Sequence, residues 1–317
     1  MRLALGIDLG ATKSMAVLWR ADGRVIESLQ MLTRRDLGFE AAVERLKQMV
    51  SKLEAMAEGE IVAAGIGLAG QIDPQSAELI ETPNLNWVSK DLYQAFSGLC
   101  NCPMVFLNDV HAAVWGEWQQ GAAKGLNDVL GVFVGTGIGG GVITDKQLMR
   151  GATGCAGEIG HIGVESEGVP CTCGSIGCVE AYAGGWGIAQ RTLDLVQAKA
   201  KGWEHFAACD PLTCREVVAA YFRANPLAKR VIDQAVKALV MAVTTAVHCF
   251  NPECIVMGGG VLEGLPDLIK LVEEGVHNRA FKAAQRKLRF VPAQLGVGAV
   301  AVGAASYALS EIQSEPF

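Results

Sequence analysis

Apolar residues run through Leu3-Ala4-Leu5-Gly6-Ile7, break at Asp8, and resume from Ser14 to Trp19 after the turn Gly10-Ala11-Thr12-Lys13. Two apolar stretches around a tight Gly/Thr turn predict a β-hairpin. From Phe39 to Met56 the spacing changes: Phe39, Val43, Leu46, Met49, Val50, Leu53 and Met56 recur at helical period with charges between them, which predicts a helix laid on a sheet. Short apolar runs at Ile61 to Leu68, closed by Gly70, and at Met104 to Leu107, ending on Asn108-Asp109, predict buried strands. Val129 to Val134, the turn Gly135-Thr136-Gly137-Ile138-Gly139-Gly140-Gly141 and Val142 to Thr144 repeat the opening hairpin, so the chain reads as internally duplicated. Pro226 to Phe250 predicts a central buried helix, whose Lys237, Thr244 and Thr245 argue against a membrane span. Cys254 to Met257 reads as a strand stopping at Gly258-Gly259-Gly260, and Gly298 to Leu309 as a small-residue helix packing back on the first lobe.

Length changes this picture from one core to two. At 317 residues the chain exceeds the roughly 250 to 300 at which a single core stops growing. The expected division is 1–115 plus 300–317 as a small N-terminal lobe and 116–299 as a large C-terminal lobe. Half the residues are apolar and 19% are charged, as in a compact α/β enzyme. A net charge of −6 without any Lys/Arg block excludes a nucleic-acid partner bound through its phosphate field. Met1 to Gly6 leads directly into the first strand without a secretory or spanning segment, so the expected location is the cytoplasm. Ten cysteines in such a chain do not form a disulfide framework. Cys100 and Cys102 have no second ligand pair nearby and read as ordinary buried or loop thiols.

The strongest chemical signal is His161, Cys171, Cys173 and Cys178, four soft or borderline ligands within one short loop, which fits a closed tetrahedral zinc site. Gly174 and Gly177 let the backbone fold tightly between the thiolates. Glu158, His161 and Glu180 flank that loop, and rigid carboxylates with an imidazole suit sugar hydroxyls, because a wrong epimer leaves one of them unpaired. Asp109 follows a strand end, where open α/β sheets build their ligand sites. Small residues in the two hairpin turns would expose backbone N–H groups to phosphate, so that two lobes clamp a nucleotide. The turn at Gly135 lies between strands rather than ahead of a helix, and no Walker loop exists, so neither a dinucleotide fold nor a P-loop enzyme is expected.

Gly157-Glu158-Ile159-Gly160-His161 together with Cys171-Thr172-Cys173-Gly174-Ser175-Ile176-Gly177-Cys178-Val179-Glu180 resembles the signature of the ROK family of repressors, open reading frames and sugar kinases. Ile7 to Lys13, Gly67 to Gly70, Asn108-Asp109, Gly135 to Gly141 and Val256 to Gly260 extend the resemblance over nearly the whole chain. It implies an α/β, two-lobe, actin-like (ribonuclease H-type) ATPase fold with a zinc loop, and an ATP-dependent hexose kinase assembled as a homodimer. By the same resemblance Asp109 is the catalytic base. Gly70, Asn84, Asn108, Asp109, Glu158, His161 and Glu180 bind sugar, and Asp8, Gly10, Thr12, Lys13, Gly135, Thr136 and Gly137 hold the phosphates. Gly258, Gly259 and Gly260 meet adenosine, Zn²⁺ is structural, and Mg²⁺ accompanies ATP. The stretch His161 to Val164 is similar to the glucokinase branch, implying transfer to the 6-hydroxyl of glucose, with N-acetylmannosamine, N-acetylglucosamine and fructose as alternative acceptors. A non-catalytic sugar-responsive regulator is the alternative of another class. Such repressors carry a helix-turn-helix ahead of the first phosphate strand, and here that strand begins by Leu3, so an enzyme is expected. The family's turn often has Gly where Ala11 stands, and many members have Ser where Gly184-Gly185 follow Glu180; neither change removes a catalytic group.

Overall fold

The computed structural model describes residues 2–82 and 87–314. It divides into two compact units: Met1–Leu126, Asp145–Ala156 and Ala293–Phe317 form the first, Asn127–Thr144 and Gly157–Pro292 the second. The division expected at 115/116 and 299/300 falls elsewhere for a concrete reason. The fully buried Glu117 accepts hydrogen bonds from Ala122 N–H (2.9 Å), Gln294 N–H (2.8 Å) and Leu295 N–H (2.7 Å), binding both segments into the first unit.

The first unit opens with β1 (Arg2–Leu9), β2 (Lys13–Arg20) and β3 (Val25–Leu32), followed by helix α1 (Phe39–Ala55) and β4 (Glu60–Leu68). A small antiparallel sheet of β5 (Gln71–Ile72), β6 (Glu78–Glu81) and β7 (Val88–Asp91) leads to α2 (Leu92–Ala95), β8 (Met104–Asn108) and α3 (Asp109–Gln119). The main sheet has the order β3-β2-β1-β4-β8, with β1 and β2 antiparallel and β1, β4 and β8 parallel. Most of the apolar stripe read in α1 is buried: Phe39, Val43, Leu46, Met49, Val50 and Leu53 join the core beneath one sheet face, whereas Met56 lies past the end of the helix and is exposed.

The other face of that sheet receives the C-terminal helix. At Gly65 a Cβ would lie 1.9 Å from the Ala304 carbonyl oxygen, so only a hydrogen at that position lets helix and strand approach. Ala301, Ala305 and Ala308 of the same helix complete a second core with Ala4, Val17 and Ala63.

In the second unit β9 (Val129–Val134) and β10 (Ile138–Thr144) form the second hairpin; the residues of β11 (Gln147–Leu148) fall in the first unit. Helices α4 (Glu180–Ala183), α5 (Gly185–Gln197), α6 (Cys214–Phe222) and α7 (Pro226–Phe250) precede β12 (Cys254–Gly258). α8 (Gly260–Gly264), α9 (Leu268–His277) and β13 (Arg289–Pro292) follow, and α10 (Ala299–Ser314) is the C-terminal helix of the first unit. β10, β9, β12 and β13 are neighbours in that order, β9 antiparallel to β10 and parallel to β12, and β12 parallel to β13. The sequence β2-β1-β4-β8 in the first unit has the same pairing, so the duplication read from two hairpins extends to four strands.

α7 is the one helix among the described residues whose length and hydropathy match a membrane span. Its apolar stripe from Leu227 to Val247 is nevertheless buried in the second unit, where it packs with α4, α5, α6 and α9. Asn225 caps it by accepting from Leu227 N–H (2.9 Å) and Ala228 N–H (3.1 Å), with Pro226 at the first helical position.

Candidate functional site

In the first unit three parallel strands end side by side. Asp8 of β1 is in register with Gly67 of β4, and Leu68 with Asn108 of β8. The polar residues after these ends therefore converge at one edge of the sheet, the place where such sheets bind ligands. Asp8 and Asp109 are close enough for their charges to interact: burial first, and the Asp109 charge second, push Asp8 up to about 7. Burial also raises Asp109, against the opposing hydrogen bond that its carboxylate accepts from Val110 N–H at 2.9 Å.

Asn108 is the N-cap of α3, its side-chain oxygen accepting from Val110 N–H (2.9 Å) and His111 N–H (3.2 Å). Its amide also donates to the Gly70 carbonyl at 3.2 Å. The structure thus brings together Asn108, Asp109 and Gly70, and spends much of Asn108's hydrogen-bonding capacity on fixing the start of α3. Gly70 packs against Thr82, whose hydroxyl accepts from Trp87 N–H at 2.8 Å. Asn84, the remaining sugar-binding expectation of this unit, lies outside the described residues.

The first glycine turn is held from β3. Thr33, which immediately follows that strand, donates its hydroxyl to the Gly10 carbonyl (2.6 Å) and its N–H to the Thr12 carbonyl (2.9 Å). Its hydroxyl also lies 2.8 Å from that of Ser14, and both side chains are fully buried. Thr12 and Lys13 stay exposed at the tip. Nothing local in the sequence marks Thr33 as a partner of this turn, since it acts across 23 positions.

The second glycine turn has its own brace, and it is Glu180. One carboxylate oxygen accepts from Ile138 N–H at 2.7 Å, the other from the Trp186 indole at 3.0 Å. A Cβ at Gly137 would stand 2.4 Å from that carboxylate, so the turn closes on Glu180 only because residue 137 is glycine. Gly185 N–H and Trp186 N–H donate to the Gly135 and Thr136 carbonyls (2.9 and 3.0 Å). The dipeptide Gly184-Gly185, noted only as a missing hydroxyl, is thus part of the scaffold under Gly135, Thr136 and Gly137.

Glu158 and His161 bound a short 3-10 turn against β10, where Gly160 approaches the Ile138 carbonyl with no room for a side chain. The four expected metal ligands do come together: one ligand atom from each of His161, Cys171, Cys173 and Cys178 lies within 4.8 Å of all the others. Cys173 Sγ is 3.7 Å from Cys178 Sγ, and Cys171 Sγ is 3.8 Å from His161 Nδ1. A tetrahedron with metal–sulfur bonds of about 2.3 Å has S···S edges of about 3.8 Å, so the donor set fits zinc in identity and spacing. His161 presents Nδ1 to the cluster, which leaves Nε2 for another partner. Gly177 N–H to Val169 carbonyl and Cys171 N–H to Ser175 carbonyl, both 2.8 Å, shape the loop around these ligands. Gly258 ends β12, and Gly259 and Gly260 start α8, the turn expected at adenosine.

Comparison with known proteins finds both glucokinases and sugar repressors. The family model described as "ROK family" matches residues 4–311. A glucokinase from Streptomyces coelicolor is 29% identical over 314 residues, covering 97% of this chain and 98% of that protein. The crystal structure of a ROK family glucokinase from Streptomyces griseus, in complex with glucose and AMPPNP, superposes with a TM-score of 0.80 at 28% identity, covering 97% of this chain and 99% of that one. A ROK hexokinase from Thermus thermophilus gives a TM-score of 0.85 at 27% identity, covering 99% and 100%.

Proposed function

The chain belongs to the ROK family, and from that premise we propose that it is a cytoplasmic ATP-dependent hexose kinase whose acceptor is the 6-hydroxyl of glucose. The observation that carries the proposal is Asp109. It sits at the C-terminal edge of three parallel strands, beside Asp8 and within the unit that holds the first glycine turn, and burial raises its affinity for a proton. A carboxylate so placed can accept a proton from a sugar hydroxyl as its oxygen attacks phosphorus, and a raised pKa brings its basicity nearer to neutral pH. Glucokinases among the similar proteins support glucose as the acceptor.

In this reading the backbone N–H groups of the two glycine turns take the phosphate oxygens, with Thr33 and Glu180 keeping the turns in shape before the nucleotide arrives. Asp8 is the carboxylate suited to Mg²⁺ beside the first turn, and the ion, when bound with ATP, neutralises phosphate charge. Gly258, Gly259 and Gly260 leave space for adenosine. Glu158 and the Nε2 of His161 recognise sugar hydroxyls, and Glu180, whose two oxygens already brace the turn, contributes to the sugar only through its remaining lone pairs. His161, Cys171, Cys173 and Cys178 hold a structural Zn²⁺ that fixes the loop and the histidine ring.

A coupled ADP-release assay over glucose, fructose, allose, N-acetylglucosamine and N-acetylmannosamine tests the assignment. Glucose is expected to give the highest kcat/KM, by about tenfold or more over each competitor. Preference for an N-acetylhexosamine overturns the acceptor while keeping the kinase. Hexose binding with no ADP release from any sugar replaces the enzyme with a sugar-responsive regulator. Metal analysis of the same active protein is expected to give about one zinc per chain, and less than about half an equivalent counts against the four-ligand site.

A further inference from the structure

Cys100 and Cys102 lie in the first unit, in the irregular segment between α2 and β8, and none of the roles above uses them. Their sulfur atoms are 2.9 Å apart, and both residues are free, half-buried cysteines. The flanks are anchored: Leu99 N–H donates to the Phe96 carbonyl at 2.9 Å, and Ala64 N–H to the Pro103 carbonyl at 2.9 Å. Residues 100–102 themselves belong to no helix or strand, so their backbone can adjust without disturbing the sheet. The two thiols also rest against the hydrophobic core of the unit, which keeps them adjacent.

A metal does not account for the pair. Among the described residues, the only group of three or more candidate ligands within reach of one another is His161, Cys171, Cys173 and Cys178. Two thiols with no third donor make a poor zinc site, whereas two thiols in contact need only a small movement to bond to each other. The hydrogen bond between them divides their chemistry. Either sulfur can donate; with Cys102 as donor the Cys100 thiolate is stabilised and its pKa falls, while Cys102 holds its proton and its pKa rises.

We propose that Cys100 and Cys102 form a redox-active dithiol, a modification site at which a peroxide is reduced while the pair closes an intramolecular disulfide. The Cys100 thiolate attacks one peroxide oxygen, the O–O bond breaks, and hydroxide leaves and takes up a solvent proton to become water. Cys100 is then a sulfenic acid. Cys102 sulfur attacks the Cys100 sulfur, the S–O bond breaks, and the departing oxygen leaves as a second water with the proton of Cys102. The two thiols lose two electrons and hydrogen peroxide gains them. A small-molecule dithiol restores the pair by exchange.

The test uses the full-length wild-type chain, treated with limiting hydrogen peroxide, alkylated without reduction, digested and read by mass spectrometry. The peptide containing both cysteines is expected about 2 Da lighter and unalkylated, returning to its doubly alkylated form after dithiothreitol. The Cys102→Ser chain is expected to yield instead a Cys100 sulfenic acid trapped by dimedone. Sulfinic or sulfonic acid on either cysteine without the lighter peptide overturns the proposal. So does a pair that stays fully alkylatable while Cys171, Cys173 or Cys178 is oxidised, and so does a disulfide from Cys100 or Cys102 to any other cysteine. Far-UV circular dichroism of the Cys102→Ser chain matching wild type secures the comparison.

Discussion

Asp8 carries a cost that depends on pH. Its carboxyl is pushed from an ordinary 3.8 to about 7, first by burial and then by Asp109. Between those values the folded protein keeps a proton that the unfolded chain has released, so stability falls as pH rises through this window. Asp8→Asn removes the ionisable group at nearly constant shape. Without Mg²⁺ and nucleotide, the variant is expected to be more stable than wild type at pH 8 by on the order of 4 kcal/mol, the difference shrinking towards pH 4. Urea unfolding at several pH values measures it, and a difference independent of pH contradicts the burial. At the same scale, the sequence made the cluster of His161, Cys171, Cys173 and Cys178 legible because residue types and spacing are themselves the chemistry. It did not reveal the second task of Glu180, whose bond to Ile138 spans 42 positions.

Elements were legible where periodicity is strong. The two hairpins, α1, β4, β8, α7, β12 and α10 follow from continuous apolar runs or from apolar and small residues at helical spacing. β13 is four residues, Arg289–Pro292, with both ends exposed, and α4 is a single turn; neither is long enough to show a period. β3 has partly exposed residues along its whole length, as an edge strand does. Contacts between elements were the least legible, since they depend on space that only the fold defines. Gly65→Ala places a methyl on the Ala304 carbonyl and is expected to cost about 3 kcal/mol or more, read as a lowered urea midpoint, by forcing α10 away from β4. Thr33→Val removes a donor from the Gly10 carbonyl and a partner from buried Ser14. A loss of about 1 to 3 kcal/mol is expected, together with a weaker KM for ATP, because the first turn loses its brace.

For the molecule as a whole, the repeated four-strand order gives each unit a glycine turn at the tip of its hairpin, and each turn is braced by a different device: a threonine hydroxyl in the first, a buried carboxylate in the second. The loop that carries His161, Cys171, Cys173 and Cys178 reaches the second turn through chain connectivity, since Glu180 follows Cys178 by two residues. Stripping metal with a strong chelator is therefore expected to release hydrogen-exchange protection at Val164, Gly177 and Val179, and then at Ile138, while β1, β4 and β8 keep theirs. Protection lost equally in both units contradicts a loop-centred role. The central claim, phosphoryl transfer with Asp109 as base, is tested most directly by comparing hexose-dependent ADP release and calorimetric glucose binding in wild type and Asp109→Asn. Turnover is expected to fall by about 10²- to 10⁴-fold with the glucose Kd within about threefold of wild type, whereas turnover within about threefold of wild type would contradict the account.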